Sequence, residues 1–246
     1  GEAQAFLEWA ADDHFTFLGY RRYKVGRRGE QRMLAAVPDT GLGLLREHAS
    51  ARRPLESLGA NAMRLAGKLE PLILTKTNSR SQVHRPGYMD YIGVLEFDAD
   101  GEPIAEHRFI GLYTSAAYHR RPWDIPIVRQ RFEQVMARSR LNRSGHSGKA
   151  LKHILETLPR EELFQSDVDE LTALASGILG LQERARSRLF LRRSKFGRFW
   201  SVLVYIPRDR YNTEVRVRIE HLLKDRLQAD AVDSVVQFGE SRLAQL

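Results

Sequence analysis

The sequence predicts an α+β protein arranged in three zones. Three observations carry this. Runs rich in aromatic and β-branched residues recur through the first half in the order strand, strand, short helices, strand, strand, strand. Apolar residues then repeat at helical spacing through the middle. The last part reads strand, strand, helix, strand. At 246 residues, a prior of about 150 residues per domain allows one or two domains.

In the first zone, Ala3 to Asp12 puts Phe6, Trp9 and Ala10 on one helical face. Phe15 to Val25 is a strand, Gly26 to Glu30 a turn, and Gln31 to Val37 the returning arm of a hairpin. Pro38 to Gly67 is helical in pieces, interrupted by Gly41, Gly43, Pro54 and Gly59. Strands follow at Pro71–Thr77, Tyr88–Phe97 and Pro103–Tyr113, the last two joined through Asp98-Ala-Asp-Gly101. This is the element order of a PAS-type fold, a single antiparallel sheet with helices on one face.

The second zone is helical. A helix opens at Asp124-Ile-Pro-Ile, with Val128, Phe132, Val135 and Met136 as its apolar face. Asn142 to Gly148 is a polar, Gly-rich linker, and Leu151, Ile154, Leu155 and Leu158 mark a second helix, stopped at Pro159. Ser166-Asp-Val-Asp169 resembles a capping box leading a third helix with Leu171, Leu174, Ala175, Ile178, Leu179 and Leu181. In the third zone, strands at Arg188–Arg193 and Phe199–Ile206 flank Ser194–Gly197. A helix from Asn212 to Leu227 and a strand at Ala231–Phe238 follow. The expectation is a partial ferredoxin-like ββαβ unit, with a fourth strand barely begun at Leu243–Leu246 and an open edge at Ala231–Phe238.

Composition narrows the chemistry. Cys is absent, so disulfides, Cys-ligated zinc, iron–sulfur clusters and thiol nucleophiles are excluded, and an intracellular, cytoplasmic protein fits. No apolar run reaches the roughly 20 residues that span a bilayer, so no membrane partner is expected. A net charge of +8 points to an anionic partner or a basic surface. His84, His107, His119, His146 and His153 show no metal-ligand spacing, so no metal is expected. There is no G-x-S-x-G elbow and no G-x-G-x-x-G after a strand. Gly145-His-Ser-Gly-Lys149 has the Gly-Lys of a phosphate loop. Arg143 stands where the first Gly belongs and Ala150 where Ser or Thr would hold Mg²⁺, so it reads as a helix-capping linker.

Two stretches could bind anions. Lys76 to Tyr88 crowds cations and amide or hydroxyl donors between two strands; Lys76, Asn78, Arg80, His84, Arg85 and Tyr88 are the candidate effector-binding residues. The bland reading is an inter-strand loop that bonds its own backbone. Arg184, Arg186, Arg188, Arg192, Arg193, Lys195 and Arg198 form an uninterrupted basic run interleaved with Phe190, Phe196, Phe199 and Trp200, as on a single-strand nucleic-acid platform. An ordinary solvated strand explains it better, and nucleic acid is not the favoured partner.

Several strings taken together are distinctive. They include Phe15-Thr-Phe-Leu-Gly-Tyr20, Leu74-Thr-Lys-Thr-Asn-Ser79, Val83 to Gly93, Gly111 to Tyr118, Ser144 to Ala150, His153-Ile-Leu-Glu156 and Tyr205 to Thr213. Through them nearly the whole chain resembles an internal segment of the large bacterial NAD-specific glutamate dehydrogenases. The resemblance implies a PAS-like domain over 1–120, a helical connector over 121–186 and an incomplete ACT-like, ferredoxin-like domain over 187–246. It also implies a non-catalytic regulatory or assembly role in a homo-oligomer, with the other domains of the same polypeptide as partners and an amino acid or other small anion as possible effector. The family's catalytic and nicotinamide-binding motifs have no match here, so no catalytic residue is carried over. NAD is expected only in the parent enzyme's catalytic domain. The alternatives are a basic nucleic-acid-binding module and a purely structural oligomerisation scaffold.

Overall fold

The computed structural model describes residues 1–28, 31–46, 53–54, 70–81, 87–182, 186–195, 197–239 and 243–246. They form two compact units, Gly1–Gln134 with Leu158–Asp167, and Val135–Thr157 with Val168–Leu246.

The first unit is built on an antiparallel sheet. Its long strands are β1 (Phe15–Arg28), β2 (Gln31–Ala36), β5 (Leu72–Ser81), β6 (Gly87–Phe97) and β7 (Pro103–Tyr113), with the short β3 (Leu42–Gly43) and β4 (Arg53–Pro54). The order is β4-β2-β1-β7-β6-β5, with β3 also on β1. The long strands lie where the aromatic and β-branched runs place them. β1 continues through Arg28, past the expected turn at Gly26, and β5 continues to Ser81, four residues past Thr77. Most of the expected helical stretch Pro38–Gly67 lies outside the described residues; its described parts include β3 and β4.

A bulge decides which side chains share a face. The β1–β7 register passes from Phe17↔Gly111 to Gly19↔Ile110, leaving Leu18 as the extra residue. Phe15, Phe17, Tyr20 and Arg22 therefore share one face, while Arg21 and Tyr23 share the other. The second face holds the core of Leu34, Met89, Tyr91 and Ile110, with Tyr23, Val25 and Ile73 against it. On the first face, Tyr113 stacks on Phe164 at 4.5 Å, and Phe164 also meets Phe6 and Trp9. Phe164 belongs to α5 (Arg160–Gln165), and Phe6 and Trp9 to α1 (Glu2–Trp9). Arg131 holds α5 by donating to the carbonyls of Leu163 and Phe164 at 3.0 and 2.7 Å.

The middle helices are α2 (Ser115–His119), α3 (Val128–Arg138), α4 (His146–Thr157) and α6 (Val168–Gln182). Their expected apolar faces are buried apart from Leu179, which is half-buried: Val128, Phe132, Val135 and Met136 on α3, Leu151, Ile154 and Leu155 on α4, and Leu171, Leu174, Ala175, Ile178 and Leu181 on α6. One start differs from expectation. A 3₁₀ turn, Pro122–Asp124, precedes α3, and Ile127 at φ 68° delays its first turn to Val128. Ahead of α6, Ser166 donates to Glu162 at 3.2 Å, both side chains being buried.

The second unit carries a four-stranded antiparallel sheet in the order β10-β11-β9-β8. Its strands are β8 (Arg188–Arg193), β9 (Trp200–Pro207), β10 (Gln237–Phe238) and β11 (Leu243–Gln245). Here the expected strand at Ala231–Phe238 is corrected to its last two residues, Gln237–Phe238. Residues 231–236 are irregular, and β11 pairs with both β9 and β10. Leu243 and Ala244 are 6% and 1% exposed, and Val204 and Leu246 exchange backbone bonds at 2.8 and 2.9 Å. Gln237–Phe238, expected as an open edge, is paired on one side with β11. α7 (Thr213–Leu227) follows β9, capped by Asn212, whose side chain accepts the Val215 N–H.

This arrangement makes a checkable forecast. Hydrogen exchange should show the Val204 and Leu246 amides protected and the Val235 amide exchanging quickly. Ala244→Asp, which places an unpaired carboxylate in a buried position, should lower urea-unfolding stability by about 2–4 kcal/mol.

Candidate functional site

The described residues of Lys76–Tyr88 sit on two paired strands. β5 and β6 pair with Lys76↔Asp90 and Arg80↔Tyr88, and the register shifts between Lys76 and Arg80. Lys76 turns toward the sheet and donates to Asp90 at 2.8 Å, with Glu161 at 3.8 Å. The Asp90 side chain is 2% exposed. Burial pushes its carboxyl up from the ordinary aspartate range, against the pull of the Lys76 ammonium and the Tyr113 N–H, which donates at 3.1 Å. Tyr118 donates to Glu161 at 2.9 Å, which extends the network to α2 and α5. Asn78, Arg80 and Tyr88 are exposed, and the Arg80 guanidinium lies 4.8 Å over the Tyr88 ring. His84 and Arg85 lie outside the described residues. The structure thus brings Arg80 and Tyr88 together and gives Lys76 a buried carboxylate as its partner.

Farther along the same face, a group of four was not singled out from the sequence as a site. Tyr20 Oη is 2.9 Å from His107 Nδ1, and His107 Nε2 is 2.6 Å from Glu96. Arg22 donates to the second Glu96 oxygen at 2.6 Å. The His107 and Arg22 bonds hold the Glu96 carboxyl below its usual range. These residues come from β1, β6 and β7 and meet only through the strand register, a long-range fact without local signature.

The opposite face carries another charged group. Arg21 and Arg108 are directly opposed across β1 and β7. Arg108 donates to Tyr91 at 3.0 Å and Glu106 at 3.2 Å, and its guanidinium lies 4.0 Å over Tyr23. Tyr91 in turn donates to Glu106. Burial works against the Arg108 charge, yet Tyr91, Glu106 and Tyr23 hold it firmly protonated. Arg21 is 2% exposed, and its Nε and Nη1 have no hydrogen-bond partner. The missed signal is the bulge: simple alternation from Phe15 would place Arg21 beside Phe17.

The remaining motifs take bland places. Asn142 accepts the Ser144 N–H at 3.0 Å, and Lys149 donates its backbone N–H to Gly145, so Gly145–Lys149 is the opening turn of α4. A Cβ at Gly148 would overlap the Asn142 carbonyl, which accounts for that glycine without a phosphate. In the basic run, Phe190 turns inward, T-shaped against Tyr205 at 5.9 Å and facing Gly177 of α6. Leu189, Leu191 and Trp200 are exposed. Arg184 and Phe196 lie outside the described residues. Among the described residues no cluster of three His, Asp or Glu is placed to hold a metal, and no helix is long and apolar enough to cross a membrane. Every described strand pair is antiparallel, so these strands form no βαβ unit of the kind that seats a dinucleotide pyrophosphate.

By fold this is an α+β polypeptide whose second unit carries an ACT-type module. The ACT2 domain of glutamate dehydrogenase matches residues 188–246, and glutamate dehydrogenase helical motif 1 matches residues 125–184. Over its whole length the chain is 40% identical to the NAD-specific glutamate dehydrogenase of Pseudomonas aeruginosa and 38% identical to that of Halomonas elongata. It is 31% identical to the Mycobacterium tuberculosis protein of the same name over 96% of the chain. The chain belongs to the large NAD-specific glutamate dehydrogenase family as a segment, spanning 15% of the first two relatives and 13% of the third.

The Lys76–Asp90 pair generates a test. Lys76→Met leaves a buried carboxylate without its cation and should cost about 3 kcal/mol at neutral pH. A raised folded pKa contributes stability below the unfolded value, lost as pH rises through the folded value. The Lys76→Met deficit should therefore shrink on acidification, and Asp90→Asn in the same chain should restore most of it. Urea unfolding across pH of the wild type, the single variant and the double variant measures both.

Proposed function

We propose that the chain is a non-catalytic regulatory and assembly segment of an NAD-dependent glutamate dehydrogenase, an enzyme that oxidatively deaminates L-glutamate to 2-oxoglutarate. The match of residues 188–246 to the ACT2 domain of that enzyme carries this reading. In it, residues 1–120 are a PAS-like sensor, 121–186 a helical connector and 187–246 the ACT-like module, within a cytoplasmic homo-oligomer. NAD belongs to the catalytic domain elsewhere in the polypeptide. The effector is an amino acid or other small anion, held by Arg80, Asn78 and Tyr88 with His84 and Arg85. Lys76 positions that edge through Asp90. The exposed Arg80–Tyr88 stack supports this, since it offers a planar cation beside an aromatic surface.

The purified segment should produce no NADH from glutamate and NAD above a blank. A thermal-shift screen against amino acids and nucleotides should find a stabilising anion. Arg80→Ala should abolish that shift while moving the unliganded melting point little, because an exposed substitution usually stays within about 0.5 kcal/mol. Unchanged ligand affinity in Arg80→Ala would place the effector elsewhere.

Assembly has its own support. Leu189, Leu191 and Trp200 are 46%, 43% and 39% exposed on one face of β8 and β9, in the ACT-matching range. This apolar stripe suits contact with another copy or another domain of the polypeptide. Leu191→Asp should weaken any self-association seen by sedimentation while leaving the melting temperature nearly unchanged; equal association in both proteins would exclude this stripe as the contact.

A further inference from the structure

We propose that the Arg21 face of the first sheet is a binding site for a small carboxylate. This goes beyond the effector edge at Arg80, which lies on the opposite face of the same sheet. The argument begins with Arg21, whose residue is 2% exposed while its Nε and Nη1 lack any acceptor. A buried guanidinium keeps its charge at every accessible pH, so it cannot escape the unmet bonds by losing a proton. Its cross-strand neighbour is a second guanidinium, Arg108. Like charges directly opposed on a sheet repel.

The acid on this face does not relieve Arg21. Glu106 already accepts from Tyr91 and from Arg108 Nε. With Glu106 already engaged, an anion from solution would supply the acceptors that the Arg21 guanidinium lacks. The fork of a guanidinium also matches a planar carboxylate in geometry. Burial of Arg21 restricts the occupant to small molecules.

The probes are acetate and propionate, with chloride and inorganic phosphate at matched ionic strength. Two readouts are followed on the full chain: the melting temperature and the arginine Nε–Hε resonances of ¹⁵N-labelled protein. Acetate or propionate should raise the melting temperature by a few degrees and shift a protected Nε–Hε resonance; chloride should do neither. Arg21→Met should lose both responses with an unliganded melting temperature no lower than wild type, since it removes an unpaired buried charge. Arg80→Ala should keep both responses. If Arg21→Met fails to fold, the wild-type Nε–Hε shift decides alone. A carboxylate that moves neither readout, or an Arg21→Met response equal to wild type, overturns the site. A response to phosphate alone overturns the carboxylate assignment. Loss of response in Arg80→Ala with retention in Arg21→Met overturns this site and leaves the reading of the Arg80 edge standing.

Discussion

The first unit depends on the pairing of β1 with β7, which joins residues about 90 positions apart in the chain. That ladder holds the two strand pairs, β1 with β2 and β6 with β5, in one sheet. Its single extra residue, Leu18, resets the alternation of β1. Without the bulge, Tyr20 and Arg22 would exchange faces with Arg21 and Tyr23. The Tyr20–His107–Glu96–Arg22 group and the Arg21–Arg108 pair exist as they do because of that reset. Gly111, opposite Phe17, admits no larger residue, because a Cβ there would overlap the Thr16 carbonyl and the Phe15 ring. A local feature of backbone packing thereby sets the chemistry of both faces.

The two faces settle buried charge differently. Asp90 is neutralised by Lys76 and bonded by the Tyr113 amide, so its burial is met by a cation and a donor. The Lys76 side chain stays 23% exposed, keeping part of its hydration. Arg21 has no such arrangement, although Arg108 opposite it donates to Tyr91 and Glu106. A removed partner typically costs more than a pair contributes, because the remaining charge keeps its desolvation penalty. Arg21 sits in that unfavourable state, 2% exposed on the sheet face that carries Tyr91 and Ile110. Such a residue weakens the fold unless an anion balances it, which separates it physically from the Lys76–Asp90 pair.

Much of the fold was legible in the sequence because periodicity reports burial. Apart from the half-buried Leu179, the apolar residues named on α3, α4 and α6 are buried, and four of the five long strands of the first unit lie on aromatic and β-branched runs, the fifth, β2, being the expected return of the hairpin. Strand lengths and partners were less legible. β5 runs to Ser81 through polar residues whose side chains give no burial signal, so the candidate loop is largely strand. The candidate site was legible as a basic stretch, yet its internal division was not. Asp90, which takes Lys76, is 14 residues away in sequence, and only the register makes them neighbours. Arg21 was hidden because alternation counted from Phe15 assumes an unbroken pleat.

The ACT-type unit shows a different limit. Alternation along β8 suggests that either Phe190 or the pair Leu189 and Leu191 faces inward, and both faces offer apolar groups. Gly177 of α6 decides between them: the Phe190 ring occupies the space a Cβ would need, so Phe190 turns inward and the two leucines turn out. The sheet therefore carries an apolar stripe where a solvated edge strand would normally bear charge. α7 is amphipathic through Val215, Ile219, Leu222 and Leu223, yet none of its residues is buried, and Leu222 is 56% exposed. A helix of 15 residues is marginal in water without packing. Its Asn212 cap, the Arg216–Glu220 pair at 3.7 Å and the left-handed Gln228 stabilise its ends and surface. They contribute only tenths to about 1 kcal/mol each. An exposed apolar stripe and a helix without buried residues in the same module are what a surface covered by a partner looks like when the module is seen alone, which fits the assembly role proposed for this segment.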